Sequence, residues 1–291
     1  MPAQISLQLA QPTYRPGETV HGVVHLAARS ELRPRGVSVH ARGEEVTALG
    51  PNTLMAQRSV PFEISFNLWS PTTGGTHTAS GTPTAGGTPT VHDDKLPQGE
   101  YDFPFEFTLP TTLPPSFSGE FTRIQYLIAA KADLPLHTDI HHEQPFTVRP
   151  APLTAADKPL RTAAQSPQGV RVELALTASG FYPGDHIQGT LQVTGIESTA
   201  LTAATVEIVS REKAEAHEFV DHFDKVRVRA EIDPARLSGS QPFPIDLPIP
   251  EDADPSFVGQ HSAKSRVVRA RIDCAHAPSV VAEAVIQVGA K

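Results

Sequence analysis

Hydrophobic and polar residues alternate with a period of two along much of this chain, and this alternation is typical of half-buried β-strands. Residues 5–9 and 172–176 follow the pattern near the start of each half of the sequence. Phe103, Phe105 and Phe107 alternate with a proline and a glutamate, so a strand here places three aromatic rings on one face. The pattern predicts a chain built mainly from strands, with these rings anchoring a core.

Helical periodicity is weak, and the best helix candidate is the segment 211–224. Phe219 and Phe223 lie four residues apart in it and would share one face of a helix. A β-hairpin is the alternative for the same segment, because Val226 and Val228 alternate directly after it. The sequence leaves both structures open.

The composition favours many short elements joined by turns. The 291 residues include 28 prolines and 20 glycines, and proline is excluded from helix interiors and from central strands. With 39% hydrophobic and 19% charged residues, the chain is typical of a globular protein. These totals strengthen the prediction of an all-β fold.

Three motifs occur twice in the same order, which indicates an internal duplication. The first pair is offset by 167 residues and the other two by 140, so the copies stay in register except for 27 extra residues in the first copy. Two tandem antiparallel β-sandwiches are therefore predicted. The matching motifs are Tyr14–Gly22 with Phe181–Gly189, Phe103–Phe107 with Phe243–Leu247, and Pro115–Gly119 with Pro255–Gly259.

Two stretches of biased composition suggest the domain boundaries. Residues 70–90 are low-complexity threonine, glycine and proline, so an insert at about 70–95 is predicted to be a flexible loop. Residues 151–169 are rich in alanine, proline and small polar residues and are predicted to be a linker. The first sandwich then covers 1–150 and the second covers 170–291.

The net charge of −8 is divided equally, with −4 in each half, and neither half has the basic surface of a nucleic-acid binder. An acidic chain is also repelled by anionic lipid unless a local patch attracts it, so the overall charge gives no support for peripheral membrane contact. The single cysteine, Cys274, excludes an intrachain disulfide and a cysteine-based metal cage. There is no signal peptide pattern and no apolar run of transmembrane length, so a cytoplasmic protein is predicted.

The run Leu96–Pro110, followed by Leu113–Gly119, resembles the N-terminal domain of arrestins, and it is most similar to the α-arrestin (arrestin-domain-containing) branch. The similarity covers most of residues 4–148 and, more weakly, 170–288. It implies two immunoglobulin-like sandwiches whose concave faces and loops contact other proteins, with no catalysis and no cofactor. The composition, rich in alanine, proline and arginine, favours a bacterial arrestin-fold protein.

Two features of that family lack a counterpart here. The first strand, Gln4–Leu9, carries no lysine or arginine, so the phosphate-sensing basic pair of visual and β-arrestins is missing. Residues Pro114–Phe117 fall short of a Pro-Pro-x-Tyr motif, so recruitment of HECT-type ubiquitin ligases is not implied. A receptor-phosphate switch is therefore not predicted.

His137, Asp139 and His141 are the candidates for metal ligands in a chain for which no metal site is otherwise predicted. On a strand these three side chains would point to one face, at a spacing that suits a divalent cation. The alternative is an exposed strand with solvated histidines.

Five residues are candidates for partner binding. Arg227 and Arg229 alternate on one predicted strand, and Arg269 and Arg271 on another, so they form a basic face for an acidic or phosphorylated partner unless nearby acids pair with them. Trp69 borders the insert, where it is either an interaction anchor or part of the core.

The function predicted from these observations is a non-catalytic scaffold that binds other proteins through sandwich faces, sheet edges and the 70–95 loop. The sequence lacks a P-loop, a dinucleotide fingerprint and a Gly-x-Ser-x-Gly elbow. Two alternatives remain, a metal- or ligand-binding enzyme that uses the His/Asp cluster, and a structural protein that self-associates through exposed edges.

Overall fold

The computed structural model describes residues 3–50, 55–71, 95–135, 139–153, 158–196, 200–237 and 241–290, and the backbone of 82–83. The chain forms two compact units. Residues 47–57 and 119–121 belong to the second unit, although they come from the first half of the sequence. The first unit comprises Met1–Val46, Arg58–Ser118 and Thr122–Arg149, and the second comprises Thr47–Gln57, Gly119–Phe121 and Pro150–Lys291.

Within the described residues, the first half of the chain supplies ten strands to two sheets. One sheet has the order β1-β3-β7-β6, and the larger one has the order β2-β10-β9-β4-β5, with β8 paired to β9. The strands are β1 (Ala3–Leu9), β2 (Thr13–Tyr14), β3 (Thr19–Ala28), β4 (Gly36–Leu49), β5 (Met55–Trp69), β6 (Thr82–Pro83), β7 (Gly99–Thr108), β8 (Phe117–Ser118), β9 (Thr122–Asp133) and β10 (Ile140–Val148).

The second half supplies β11 to β20 and a short 3₁₀ helix, Pro234–Leu237. Its smaller sheet has the order β11-β12-β14-β17, and its larger sheet has the order β13-β20-β19-β15-β16, with β18 paired to β19. No helix in the described part of the chain has the length and apolar content that a membrane crossing requires. The strands are β11 (Leu160–Gln165), β12 (Arg171–Leu176), β13 (Gly180–Phe181), β14 (His186–Thr194), β15 (Leu201–Ala216), β16 (Phe219–Ile232), β17 (Phe243–Pro248), β18 (Phe257–Val258), β19 (Ser262–Cys274) and β20 (Ala277–Val288).

The larger sheets of the two halves have the same strand order. Each begins with a two-residue strand that pairs in parallel with the last long strand of its half, as β2 does with β10 and β13 with β20. The turns before β3 and β14 also correspond, because Gly17 and Gly184 have φ of +84° and +86°, a conformation that glycine adopts without steric penalty. The predicted all-β fold of two tandem sandwiches is confirmed.

Alternating burial builds the two cores. Phe103, Phe105 and Phe107 on β7 are all buried, and the rings of Phe105 and Phe107 stack with centroids 6.4 Å apart. In the second unit the inward residues of β12 and β14 join those of β15, β19 and β20 in one hydrophobic cluster. The period-two pattern therefore identifies the core-facing positions in both units.

The segment 211–224 is part of a β-hairpin and not a helix. β15 and β16 pair in register from Ala216 opposite Phe219, and His217 takes a φ of +57° in the turn. The pairing shifts at Arg227, which is an extra residue between Val226 opposite Val209 and Val228 opposite Ile208. Because of this β-bulge, Val228 packs against the core, whereas Val226, two residues earlier, lies on the opposite face of the sheet.

The ranges predicted to be linker and insert include residues in strands. Within 151–169, Leu160–Gln165 form β11, the first strand of the second unit's smaller sheet. Within the predicted insert, Thr82–Pro83 pair with β7, whereas residues 72–81 and 84–94 lie outside the described residues. The flexibility of the insert and the domain limits stay predictions.

Candidate functional site

A row of charged side chains crosses the face of the second unit's larger sheet that points away from the core. Arg229 of β16 lies opposite Glu207 of β15. Glu207 in turn lies opposite Arg269 of β19, and Arg269 lies opposite Glu283 of β20. Positive and negative side chains thus alternate across four neighbouring strands, an arrangement in which each cross-strand pair attracts.

Arg211, Asp224, Arg269 and Glu283 form a closed set of ion pairs beside this row, here called the ion-pair ring. Arg211 donates from Nε and Nη2 to Asp224 at 2.8 Å each, and from Nη1 and Nη2 to Glu283 at 2.9 and 3.1 Å. Arg269 donates to Glu283 Oε1 at 2.7 Å and to Asp224 Oδ2 at 2.6 Å. Each carboxylate therefore accepts from both arginines, and such charge-assisted, forked hydrogen bonds are strong and directional.

The charges on this face balance. Arg229 donates from Nε to Glu207 at 2.7 Å, so the ring and this pair together hold three arginines and three carboxylates. Hydrogen bonds from Arg211 lower the pKa of Asp224 to about 2 and also lower the pKa of Glu283. The face is ionised at neutral pH but carries no excess positive charge.

The ring makes stability depend on pH in the acid range. The pKa of Asp224 is 3.8 without its partners and about 2 in the fold, so its contribution is complete above pH 3.8 and is lost as the pH falls through about 2. Between about pH 4 and pH 2, we expect the free energy of unfolding to fall more steeply in the wild type than in Asp224→Asn. Urea unfolding across that window tests this. Glu231→Gln on the same strand is the matched control, and equal slopes in wild type and Asp224→Asn would contradict the prediction.

Two valines lie beneath the ring. Val209 and Val267 face each other across β15 and β19 and are 0% exposed. They are absent from the core cluster that holds their neighbours Ile208 and Val268, so they point to the opposite face, that of the ring. The outer face of this sheet therefore has fully buried apolar positions beside the paired guanidinium groups.

The other two predicted arginines also meet carboxylates. Arg227 Nη2 lies 2.6 Å from both carboxylate oxygens of Asp252. Arg271 donates to Asp273 at 2.9 Å and to Ser279 Oγ at 3.1 Å. The paired alternative is thus favoured for all four arginines, and binding of a partner through them stays a prediction.

Trp69 ends β5 and is 6% exposed. This burial favours the core alternative for Trp69, and contact of its ring with a partner stays a prediction.

The predicted metal candidates are only partly described. Asp139 lies just before β10, where Lys131 Nζ approaches its carboxylate at 2.7 Å and lowers its pKa. His141 is exposed on β10, opposite Lys131, and His137 lies outside the described residues. Among the side chains that the structure describes, no group of three or more His, Cys, Asp and Glu residues is placed to hold a metal ion.

The second unit also contains a buried carboxylate that the sequence interpretation missed. Glu212 is 1% exposed. Its two oxygens accept hydrogen bonds from the backbone N–H groups of Glu120 and Phe121, each at 2.9 Å. Lys264, directly opposite on β19, places Nζ 4.0 Å away. These contacts offset the penalty of removing the carboxylate from water.

A buried arginine lies one pleat further along the same strands. Arg266 is 1% exposed, donates from Nη1 to Ser210 Oγ at 2.9 Å, and places Nη2 3.7 Å from Asp254. Burial lowers the pKa of the Arg266 guanidinium, while Asp254 opposes this shift. Burial likewise lowers the pKa of Lys264.

The duplication shows what Arg266 replaces. The residue 140 positions earlier is Tyr126, which is 1% exposed and donates its hydroxyl to the Pro114 carbonyl at 2.6 Å. Pro114 corresponds by the same offset to Asp254. The Arg266–Asp254 contact therefore occupies the place of the Tyr126–Pro114 hydrogen bond in the first unit.

The residue that faces Arg266 on the neighbouring strand β15 also differs from its counterpart in the first unit. Glu45, the counterpart of Glu212 at an offset of 167, is also fully buried. The counterpart of Ser210 is Gly43, where a Cβ would lie only 2.5 Å from the ring of Tyr126. Glycine thus leaves room for a tyrosine in one unit, and serine supplies a hydroxyl for an arginine in the other.

An open groove lies at the corresponding place in the smaller sheet of each unit. Residues 21–23 of the first groove correspond to 188–190 of the second by the offset of 167, and 104–106 correspond to 244–246 by the offset of 140. The first groove, of about 680 Å³, is lined by 8–10, 21–23 and 104–106, and the second, of about 650 Å³, by Pro159, Arg161, 175–177, 188–190 and 244–246.

Comparison with known proteins supports one family. Residues 3–152 match the profile described as arrestin (or S-antigen), N-terminal domain. The chain is 29% identical over 160 residues to arrestin domain-containing protein 17 of Caenorhabditis elegans, an alignment that covers 50% of this chain and 37% of that protein. It is 28% identical over 138 residues to arrestin domain-containing protein 1 of Rattus norvegicus, covering 47% of this chain and 27% of that protein. The chain thus matches well under half the length of these curated relatives.

Proposed function

Because this chain belongs to the arrestin family, we propose that it is a scaffold that holds partner proteins and catalyses no reaction itself. The observation that carries the proposal is the match of the whole first sandwich, residues 3–152, to the arrestin N-terminal domain. Relatives that match about half of this chain are named as arrestin domain-containing proteins in both a nematode and a rodent. The proposal extends the adaptor role that the family suggests to this chain.

The two grooves on the smaller sheets are the proposed contact surfaces, together with the segment 70–95. Each groove combines apolar floor residues with polar side chains, such as Phe105 beside His21 and Glu106 in the first. A surface of this kind suits a protein segment that buries one apolar side chain and hydrogen-bonds around it. The corresponding positions of the grooves would let one chain hold two similar segments.

Phosphate sensing by the first strand is not part of the proposal. The outward-facing residues of β1 are Gln4, Ser6 and Gln8, none of which carries a positive charge. Recognition of a phosphorylated segment at this strand would need arginine or lysine, which bind phosphate through charge-assisted hydrogen bonds.

We also propose a cytoplasmic location. The chain has a single cysteine, Cys274, which is buried, and burial raises the pKa of its thiol. A chain without a disulfide suits a reducing compartment. Fractionation of the native cell tests this location, and recovery of the protein outside the cytoplasm would contradict it.

Affinity purification from the native cell tests the scaffold. The tagged wild type is compared with a variant whose residues 70–92 are replaced by a short Gly-Ser turn, and with a groove variant, Val23→Asp. Val258→Ser, at a side chain that is 79% exposed on β18, is the control. We expect a defined set of proteins with the wild type and the control, and loss of some of them with each of the other variants.

A different result would support the metal-binding alternative. If no protein is enriched with the wild type, and the purified chain holds stoichiometric metal that is lost in His137→Ala and His141→Ala, the scaffold proposal fails. Elemental analysis of the purified protein supplies this measurement.

A further inference from the structure

The outer edge of β16 combines an open hydrogen-bonding side with exposed apolar side chains. In the described part of the chain, β16 is the last strand of its sheet and pairs along one side, with β15. Phe219, Val220, Phe223 and Val226 on this strand are 50%, 53%, 36% and 41% exposed. Edge strands offer unpaired N–H and C=O groups to other strands, and folded proteins usually protect them.

We propose that this edge pairs antiparallel with the same edge of a second copy of the chain, about a twofold axis that passes beside Phe223. Antiparallel pairing of identical strands is isologous, so each contact away from the axis occurs twice. The two larger sheets would then continue into each other. This self-pairing goes beyond the scaffold function and does not depend on it.

The charge sequence of the strand selects a second copy as the occupant. With Phe223 opposite its own copy, each polar or charged residue from 221 to 225 faces one that can pair with it, and Val220 faces an apolar residue. Opposite charges and apolar pairs directly across an antiparallel ladder are stabilising. The pairs between copies are His222 with Asp224, Asp221 with Lys225, and Val220 with Val226.

The neighbouring registers do not share this property. Facing residues in an antiparallel ladder have the same parity, so one neighbouring register places Asp224 opposite its own copy and Phe223 opposite Lys225. The other neighbouring register places Asp221 opposite Phe223 and Val220 opposite Asp224. Like charges directly opposite each other destabilise a strand pair. A foreign peptide would place no such constraint on the sequence of β16, so the self-complementary register favours a second copy.

The fold also defines the length of the pairing segment and the position of its centre. The bulge at Arg227 interrupts the regular strand, so the paired segment centred on Phe223 runs from Val220 to Val226. Phe223 packs edge-on against Phe121 of the same unit, with centroids 6.1 Å apart and planes at 79°. Its ring is thus held in place with one side open to solvent.

Sedimentation equilibrium of the full chain tests the proposal through charge reversal. We expect a monomer–dimer equilibrium for the wild type. Asp221→Lys and Lys225→Asp should each raise the dimer Kd by about tenfold or more, because each places like charges opposite at two symmetric positions. The double variant restores opposite charges in both pairs and should return to within about threefold of the wild-type Kd.

Glu231→Lys is the matched control, since Glu231 lies exposed on β16 but beyond the bulge, and its dimer Kd should stay unchanged. Circular dichroism confirms that each variant folds. A wild type that remains monomeric at about 100 µM overturns the proposal, as do single reversals without effect or a double variant without recovery. If the reversals instead abolish binding of another protein to a monomeric chain, the edge serves that partner and self-pairing is wrong.

Discussion

Replacement of Arg266 with alanine is expected to lower the free energy of unfolding of the second unit by about 3 kcal/mol. Arg266 is among the largest fully buried side chains of the described residues, so its truncation leaves a cavity between β15 and β19. It also leaves the hydroxyl of Ser210 without its donor. The expected loss of stability therefore comes from both the cavity and the missing hydrogen bond to Ser210. Urea unfolding followed by circular dichroism measures this loss.

The first unit supplies the design of a rescue. Ser210→Gly combined with Arg266→Tyr installs the Gly43–Tyr126 arrangement at the corresponding positions. We expect this double variant to be more stable than Arg266→Ala by about 2 kcal/mol, because the ring fills the space and its hydroxyl can donate to the backbone carbonyl of Asp254.

The single tryptophan gives an internal control for both variants. Trp69 is buried in the first unit, so its fluorescence follows the unfolding of that unit. The fluorescence transition of Arg266→Ala should stay close to that of the wild type while the circular dichroism transition shifts. A double variant no more stable than Arg266→Ala would show that the Gly43–Tyr126 arrangement cannot replace Ser210 and Arg266 in the second unit.

Replacement of Glu212 with alanine is expected to cost about 3–5 kcal/mol. The backbone N–H groups of Glu120 and Phe121 would lose their acceptor inside the unit, and the buried Lys264 would lose its nearby carboxylate. Glutamine should cost less, because its carbonyl oxygen keeps one of the two acceptors. Equilibrium unfolding of Glu212→Ala and Glu212→Gln gives this order.

Hydrogen exchange distinguishes the loss of these two hydrogen bonds from general loosening. In Glu212→Ala the amides of Glu120 and Phe121 should exchange markedly faster, while amides in the centre of β19 change in proportion to global stability. Glu215→Ala is the control on the same strand, since the carboxylate of Glu215 pairs with Lys213 near the surface. Unchanged exchange at residues 120 and 121 in Glu212→Ala would contradict the assignment of Glu212 as their acceptor.

The division of the chain into two similar all-β units was predictable because the sequence carries the same motifs twice. The alternation around Phe103–Phe107 identifies inward positions, and the repeated motifs fix which strands of the two halves correspond. A sandwich buries one face of each strand, so a period of two maps directly onto burial. For the same reason the sequence predicts the core of each unit more completely than its surface.

The helix alternative for 211–224 shows where local spacing fails. Phe219 and Phe223 are four residues apart, and a spacing of four places side chains on one face in a helix and also in a strand. Periodicity at these two positions therefore cannot separate the two structures. The segment forms a strand because β16 pairs along its length with the longer strand β15.

The ionic contacts were unpredictable for a different reason. Arg269 meets Glu283 and Asp224 because of the register of three strand pairs, and register depends on the whole sheet. Lys264 and Arg266 were missed because the alternation rule assigns charged residues to the outside. Comparison with Ile124 and Tyr126, 140 positions earlier, would have placed both inside.

Arg227 is an extra residue that divides β16 into two halves. The residues that face the core have even numbers in one half and odd numbers in the other. Val228 and Ala230 turn toward the core, whereas residues 219–226 follow the opposite parity. Removal of Arg227 would join the two halves into one uninterrupted alternation, and one of them would have to turn its apolar residues to the wrong side. Because of the bulge, substitutions in the outer half do not change which residues of the inner half face the core. The outer half can therefore diverge in sequence, and in what it binds, while the core stays the same.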